Sequence, residues 1–280
     1  MQQTAMSRFK VKPGKTINLK QTDPNPHLPN VSKRHTAPHL RLALARMDKL
    51  QAQMWAERKH SLLIVLQGRD AAGKDGVIRH VITGMNPQGC SVSSFKQPTA
   101  EELAHDFLWR VHVRVPERGT VAIFNRSHYE DVLAARVHRL VPRKVWKARY
   151  REINDFEHML WRDNNTTILK FFLHISKKEQ LARFGERLND PSHNWKISES
   201  DYTDRQYWSE YDKAFEEMFH ETSKRHAPWF IIPANQKWFC HLAISELLVQ
   251  AMTDMAIKTP KPSVDLNEIR HEYHTAAMKR

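Results

Sequence analysis

Apolar positions along this chain fall into two alternating rhythms. Short runs at Leu62 to Gln67, Ser91 to Phe95, Thr120 to Phe124, Thr166 to Ile175 and Trp229 to Ile232 predict strands. Helical spacing fills the intervals, at Gly73 to Thr83, Ala100 to Val113, Tyr129 to Arg139, Pro142 to Trp161, Lys177 to Leu188, Asp204 to Thr222 and Lys237 to Ala256. The first of these strands, β-branched and Leu-rich, is of the kind buried on both faces, so the chain reads as α/β, a parallel sheet covered on both sides by helices. An amphipathic helix over Leu40 to Trp55 carries Leu40, Leu44, Met47, Leu50 and Met54 on one face. Pro24, Pro26, Pro29 and Pro38 make the segment before it an irregular arm. The expected organisation is a basic arm over 1–39, one α/β domain over 40–256 and a tail over 257–280, mobile from Pro260 onward.

At 280 residues, 40% hydrophobic and 27% charged, the chain has the profile of a folded globular protein. Its longest apolar run, Leu62 to Leu66, is far below the roughly 20 residues of a membrane helix, and no signal-peptide stretch opens it, so a cytoplasmic protein without membrane association is expected. Cys90 and Cys240 stand far apart, which excludes a disulfide framework and a thiolate metal site. The formal charge of +13 predicts attraction to polyanions. Seven basic residues (Arg8, Lys10, Lys12, Lys15, Lys20, Lys33, Arg34) against Asp23 give the arm a net +6, which a solvated basic arm would also explain. His271 and His274 form an isolated pair in the tail, too little for a metal site.

Glycine is scarce, yet Gly68, Gly73 and Gly76 fall within nine positions between a strand and a helix. Residues 68–74, GRDAAGK, fit the phosphate-cradling loop G-x-x-x-x-G-K, in which backbone N–H groups wrap phosphate oxygens and the lysine neutralises a transferring phosphoryl. Gly68, Ala71, Ala72, Gly73 and Gly76 are therefore phosphate-binding candidates and Lys74 a catalytic one, against the plainer reading of a tight turn with a surface lysine. Asp75 stands where such loops place a hydroxyl on magnesium, so the metal must be held differently. Asp70 is the first candidate ligand, and Asp75 is a ligand, a charge orienting Lys74, or an acid suited to a helix's first turn.

The third strand ends on Asn125 where an acid is usual, and carboxylates return at Glu130 and Asp131. Arg126, at the crevice where a parallel sheet takes its ligand, reads as a phosphate clamp or as a surface partner of Glu130. His128 and Tyr129 read as packing or capping residues. Lys177, Lys178, Arg183 and Arg187 share a helix and suggest a basic lid over about 177–205, extended by Trp195 and Lys196, or simply a solvated basic face.

Taken in order, GRDAAGKDG (68–76), SFKQPTAEEL (94–103), FNRSHYEDV (124–132), FFLHISKKEQ (171–180), RLNDP (187–191) and APWFIIPAN (227–235) resemble the polyphosphate kinase 2 family from about Lys12 to Leu248. The resemblance implies a thymidylate-kinase-like P-loop fold, three layers α/β/α with a helical lid, and reversible phosphoryl transfer between inorganic polyphosphate and nucleotides with Mg2+, or Mn2+ in its place. The Asp after the loop lysine is that family's own variation. Glu130 and Asp131 look like the class acting on both mono- and diphosphates, AMP to ADP and ADP to ATP, which would set Glu130 near the acceptor nucleotide and Asp131 near metal. By the same resemblance Asp70 and Lys74 serve magnesium and phosphate, Arg126 the acceptor phosphates, and Arg183 and Arg187 the lid. Asp75, Asn86, Lys96 and Asn125 join the phosphate- and nucleotide-binding set, with Asp75 and Asp131 both open as second metal ligand. Adenine and also guanine nucleotides, and a homodimer or homotetramer, are what the family implies. An ATP-dependent nucleoside monophosphate kinase and a nucleic-acid-binding protein are the competing readings, separated by donor choice and by strand binding without turnover.

Overall fold

The computed structural model describes residues 7–26, 33–192 and 194–278. The portions of the arm at 1–6 and 27–32, Pro29 included, and the last two residues of the tail lie outside the described residues. In chain order the regular elements are α1 (Lys33–Glu57), β1 (Ser61–Gly68), α2 (Lys74–His80), β2 (Cys90–Ser94), α3 (Ala100–Leu103), α4 (Trp109–His112), β3 (Val121–Asn125), α5 (Ala134–Val137) and α6 (Arg143–Asp163). They continue with β4 (Thr166–His174), α7 (Lys177–Asn189), α8 (Glu199–Gln206), α9 (Trp208–Thr222), β5 (Trp229–Pro233), α10 (Lys237–Asp254) and α11 (Leu266–Met278).

All five strands are parallel, in the order β2-β3-β1-β4-β5. β1 sits at the centre, and its successive side chains serve opposite cores. Leu62, Ile64 and Leu66 pack with Met47 and Met54 of α1 and Phe239 and Leu248 of α10. Leu63 and Val65 pack with Ile153 and Phe156 of α6 and Phe215 and Phe219 of α9. Burial on both faces is why this strand is apolar at every position from Leu62 to Leu66 instead of every second one. The register pairs Leu66 with Asn125 and Gly68 with Leu173, so the carboxyl ends of β1, β3 and β4 finish side by side. A parallel sheet opens its ligand crevice there.

Several elements differ from their sequence expectation for local reasons. α1 opens at Lys33 rather than Leu40 and carries Pro38 inside it; a proline one turn into a helix costs a backbone hydrogen bond without ending it. The single helix expected over Ala100 to Val113 is two short ones, because the Asp106 carboxylate accepts the Leu108 N–H at 2.9 Å and turns the chain between them. The stretch from Tyr129 divides into a 3-10 turn, His128–Asp131, and α5. The helix expected from Asp204 begins at Glu199 and is split into α8 and α9. In the tail, α11 forms a helix with no buried residue.

The N-terminal arm lies along the sheet edge. Val11 N–H donates to Trp229 O at 2.8 Å and Ile231 N–H to Phe9 O at 2.9 Å, which pairs the open side of β5 antiparallel at Lys10 and Phe230. Val11 and Leu19 are buried. Further along, Asn235 N–H donates to Pro24 O at 3.2 Å and the Asn235 amide to Asn25 Oδ1 at 3.1 Å, fastening the arm beside the crevice.

Candidate active site

The loop between β1 and α2 begins at Gly68, where a Cβ would stand 2.9 Å from the Leu173 carbonyl, so close strand packing requires glycine. Gly73 has φ of 106°, a left-handed conformation that again favours glycine. Ala71 (φ 60°) and Arg126 (φ 59°) adopt the same region without that freedom, and such residues gather at functional sites.

Lys74 is 8% exposed, not the surface lysine of a plain turn, and its ammonium donates to Gly68 O at 2.7 Å and Arg69 O at 3.2 Å. Burial, helped by the neighbouring Arg126, pulls its pKa down to about 8, against the pull of Asp70, Glu130 and Asp75. An incoming phosphate would replace those carbonyls as its partner. Asp70 accepts from Arg126 Nη2 at 2.6 Å. Glu130 accepts from the Gln67 amide at 3.3 Å, and burial raises its carboxyl above the usual range despite Arg126 and Lys74. Asp75 accepts from Asn125 Nδ2 at 2.9 Å and lies 3.6 Å from Lys196 Nζ. Against burial, these two partners and Lys74 hold its carboxyl below its ordinary value.

Arg183 departs from the expected lid arginine. It is buried: Nη1 donates to Ala71 O (2.8 Å) and Ala72 O (3.0 Å), Nη2 to Ala234 O (2.6 Å) and Asn235 O (3.2 Å), and Nε to Glu179 (2.8 Å). It therefore braces the loop from behind, joined by Gln180, whose amide donates to Asp70 O at 3.0 Å. Arg187 turns instead to the segment that follows α7, donating to Lys196 O at 3.3 Å and lying 3.6 Å from Asp201 of α8. Asp131 does not stand with Asp70 and Asp75: its carboxylate lies 3.5 Å from both Arg110 and Arg149. Asn86 caps a 3-10 turn by accepting the Gln88 N–H, and the Lys96 carbonyl accepts from Arg110; both side chains are exposed and neither lines the recess beside the loop. His128 and Tyr129 are fully buried packing residues, as expected.

That recess is bounded by Gly68, Arg69, Asp70, Arg126 and Glu130 on one side and by Gln180, Asp204, Arg205, Trp208, Tyr211 and Phe215 on the other, with Leu133. Arg69 is the residue that motif reading passes over. Its guanidinium lies 3.8 Å from the centre of the Trp208 ring and donates to Asp212 at 2.5 Å and Trp208 O at 2.8 Å, fixing α9 against the loop. The spacing of Trp208, Tyr211 and Phe215 marks one helix face, but core packing gives the same spacing.

The donors suit a hard divalent cation. No three His, Cys, Asp or Glu side chains among the described residues form a ready cluster. A magnesium ion needs no such cage, taking one or two carboxylates together with phosphate oxygens and water. Asp70, on the loop and facing the recess, offers such a carboxylate, with Asp75 following Lys74 in the first turn of α2. Among the described residues no helix is long and apolar enough to cross a membrane.

A parallel sheet, a glycine loop carrying a buried lysine and a recess lined by carboxylates and arginines at the strand ends define a P-loop kinase of the α/β class. The sequence profile described as Polyphosphate kinase 2 matches residues 30–260, and the chain belongs to that family. It is 46% identical over 265 residues to the AMP/ADP-polyphosphate phosphotransferase of Meiothermus ruber, covering 94% of this chain and 99% of that protein. Identity to the ADP-polyphosphate phosphotransferase of Rhodopseudomonas palustris is 45% over 242 residues, 82% of this chain and 83% of that one. The crystal structure of Polyphosphate Kinase 2 from Arthrobacter aurescens TC1 superposes with a TM-score of 0.90 at 38% identity, covering 95% of this chain and 98% of the other.

Proposed function

We propose that the protein transfers the terminal phosphoryl group of inorganic polyphosphate to AMP and to ADP, reversibly and with Mg2+. The observation that carries this reading is the buried Lys74 amine beside the Arg126–Asp70 pair and Glu130, within a chain matching the AMP/ADP-polyphosphate phosphotransferase over almost its whole length.

A terminal phosphate oxygen of the nucleotide attacks the end phosphorus of polyphosphate in line. The new P–O bond forms as the bond to the penultimate phosphate breaks, and the shortened chain leaves with the electron pair. Lys74 exchanges its carbonyl partners for the transferring phosphoryl and offsets charge on its oxygens. Arg126, now on Asp70, presents its remaining N–H groups to the acceptor phosphate, and Glu130 borders the same phosphate from the floor of the recess. Mg2+ would be held by Asp70 with Asp75 as second ligand, Asp131 being turned to Arg110 and Arg149, and would supply further neutralisation of phosphate charge. Arg183 keeps the loop in register from behind. Trp208 and Arg69 close the side of the recess and limit water, which would otherwise hydrolyse the donor.

The test is a donor comparison with purified protein, AMP and Mg2+, supplied with either long-chain polyphosphate or ATP. ADP followed by ATP from polyphosphate supports the reading. ADP from the ATP arm alone assigns the protein to the ATP-dependent nucleoside monophosphate kinases. GMP in place of AMP and light scattering of the purified protein check the further proposals that guanine nucleotides are accepted and that the chain assembles as a dimer or tetramer.

A further inference from the structure

Beneath the recess lies an ion pair that touches neither the loop nor the crevice. Glu157 of α6 and Lys170 of β4 have no exposed side-chain surface, and Lys170 Nζ donates to Glu157 Oε2 at 2.6 Å. The other protons of the ammonium go to Tyr129 OH (2.8 Å) and Thr222 O (2.8 Å). The second carboxylate oxygen, Glu157 Oε1, accepts from Tyr129 OH at 2.7 Å and meets His128 Nε2 at 3.2 Å. One buried charge pair thus grips two consecutive residues of the 3-10 turn. Burying such a pair costs both ions their hydration, and a well-packed apolar pair would serve stability as well. Its distinctive contribution is directional.

The two gripped residues sit between the two site residues of this segment. Arg126 and Ser127 lead into the turn, and Glu130 follows directly after Tyr129. Ser127 Oγ accepts the Tyr129 N–H at 3.2 Å, and the Tyr129 ring packs edge-on to Trp229 at 4.8 Å. With His128 and Tyr129 anchored inward, Arg126 and Glu130 are presented outward, to Asp70 and Gln67 respectively. Arg126 holds φ of 59°, which its own side chain does not favour and which the surrounding turn must impose.

We propose that the buried Glu157–Lys170 pair is a positioning device for catalysis, holding Arg126 and Glu130 at the acceptor phosphate by fixing His128 and Tyr129 from beneath. Glu157 and Lys170 are positioning residues, since neither borders the recess. The inference rests on the reading that Arg126 and Glu130 face the acceptor.

The test is a double-substitution cycle on the full chain, with kcat and KM for AMP and polyphosphate measured for wild type, Glu157→Gln, Arg126→Ala and the double variant, each corrected for folded fraction. The expected result is that Glu157→Gln lowers kcat about tenfold with KM for polyphosphate within about twofold, and that it lowers kcat less than about twofold once Arg126 is absent. A pair serving stability alone would give the same factor in both backgrounds, and that result overturns the proposal. So does a folded Glu157→Gln enzyme with wild-type kcat. Tyr129→Phe, which removes only the hydroxyl, stands in if Glu157→Gln does not fold, with the same expected dependence on Arg126. An Arg126→Ala enzyme of wild-type activity would refute the role of Arg126 itself. The positional claim is then decided by a crystal structure of Glu157→Gln, or of Tyr129→Phe: loss of the 2.6 Å Arg126–Asp70 contact supports it, and retention overturns it.

Discussion

Asn125 donates its side-chain amide to Asp75 Oδ1 at 2.9 Å, joining the end of β3 to the first turn of α2. The usual P-loop arrangement has a hydroxyl on the helix and a carboxylate at the strand end; here the carboxylate is on the helix and a neutral amide faces it. The two departures compensate each other. Lys196, 3.6 Å from the other oxygen of Asp75, then links the segment between α7 and α8 to this point. Asn125→Asp would oppose two carboxylates at hydrogen-bond distance. We expect it to cost about 1.5–3 kcal/mol in transition-state stabilisation, roughly ten- to a hundredfold in kcat/KM. The exchange Asp75→Asn with Asn125→Asp restores a donor facing an acceptor and should recover most of that loss. Steady-state kinetics of the three variants check this; an exchange no better than Asn125→Asp alone would show that charge placement, not pairing, matters here.

Lys74→Met should lower turnover by about three orders of magnitude, the scale of losing a charge aimed at the transferring group. Stability should hold or rise at pH 7, because the fold disfavours the buried ammonium. The linkage has a definite sign. The folded chain holds this proton less tightly than the unfolded chain, so the cost of the charge is full below about pH 8 and fades as pH rises toward 10.5. Activity runs the other way: kcat/KM for polyphosphate should fall roughly tenfold per pH unit above about 8. The limb in kcat should lie at higher pH, since bound phosphate favours the charged lysine. Burial lowers the pKa of Lys170 as well, against the pull of Glu157, but this lysine lies away from the recess, and a limb of its making would not move on saturation. Denaturant melts and pH profiles of both proteins provide the measurements.

Arg183 and Arg187 should separate cleanly. Arg183→Ala leaves four carbonyls of the loop and the β5 end without their donor, and should destabilise the fold by about 2–4 kcal/mol. Arg187→Ala removes a partly exposed pairing with Asp201 and should change stability by less than about 1 kcal/mol. Urea unfolding of the two variants tests the contrast; equal destabilisation would contradict the brace.

This pair also shows where sequence stops being informative. The spacing of Arg183 and Arg187 marks a basic helix, but which cation turns inward is set by the loop and the end of β5, segments distant in sequence. The strands and the glycine loop were legible because their signals are local: an unbroken apolar run for β1, and glycines clustered between strand and helix. Arg69 on Trp208 and the arm against β5 are contacts between distant segments that no local pattern announces. The inward Asp131 is similar, since its arginine partners come from α4 and α6.

A chase of radiolabelled polyphosphate into AMP follows the phosphoryl group from donor to acceptor and separates direct transfer from passage through the protein. With Mg2+, AMP and no ATP, label should enter the β-phosphate of ADP first and the γ-phosphate of ATP later, with none retained on the protein and transfer by Lys74→Met slower by about three orders of magnitude. Unlabelled nucleotide under these conditions, or label bound to the protein as an obligatory precursor of ADP, would contradict it.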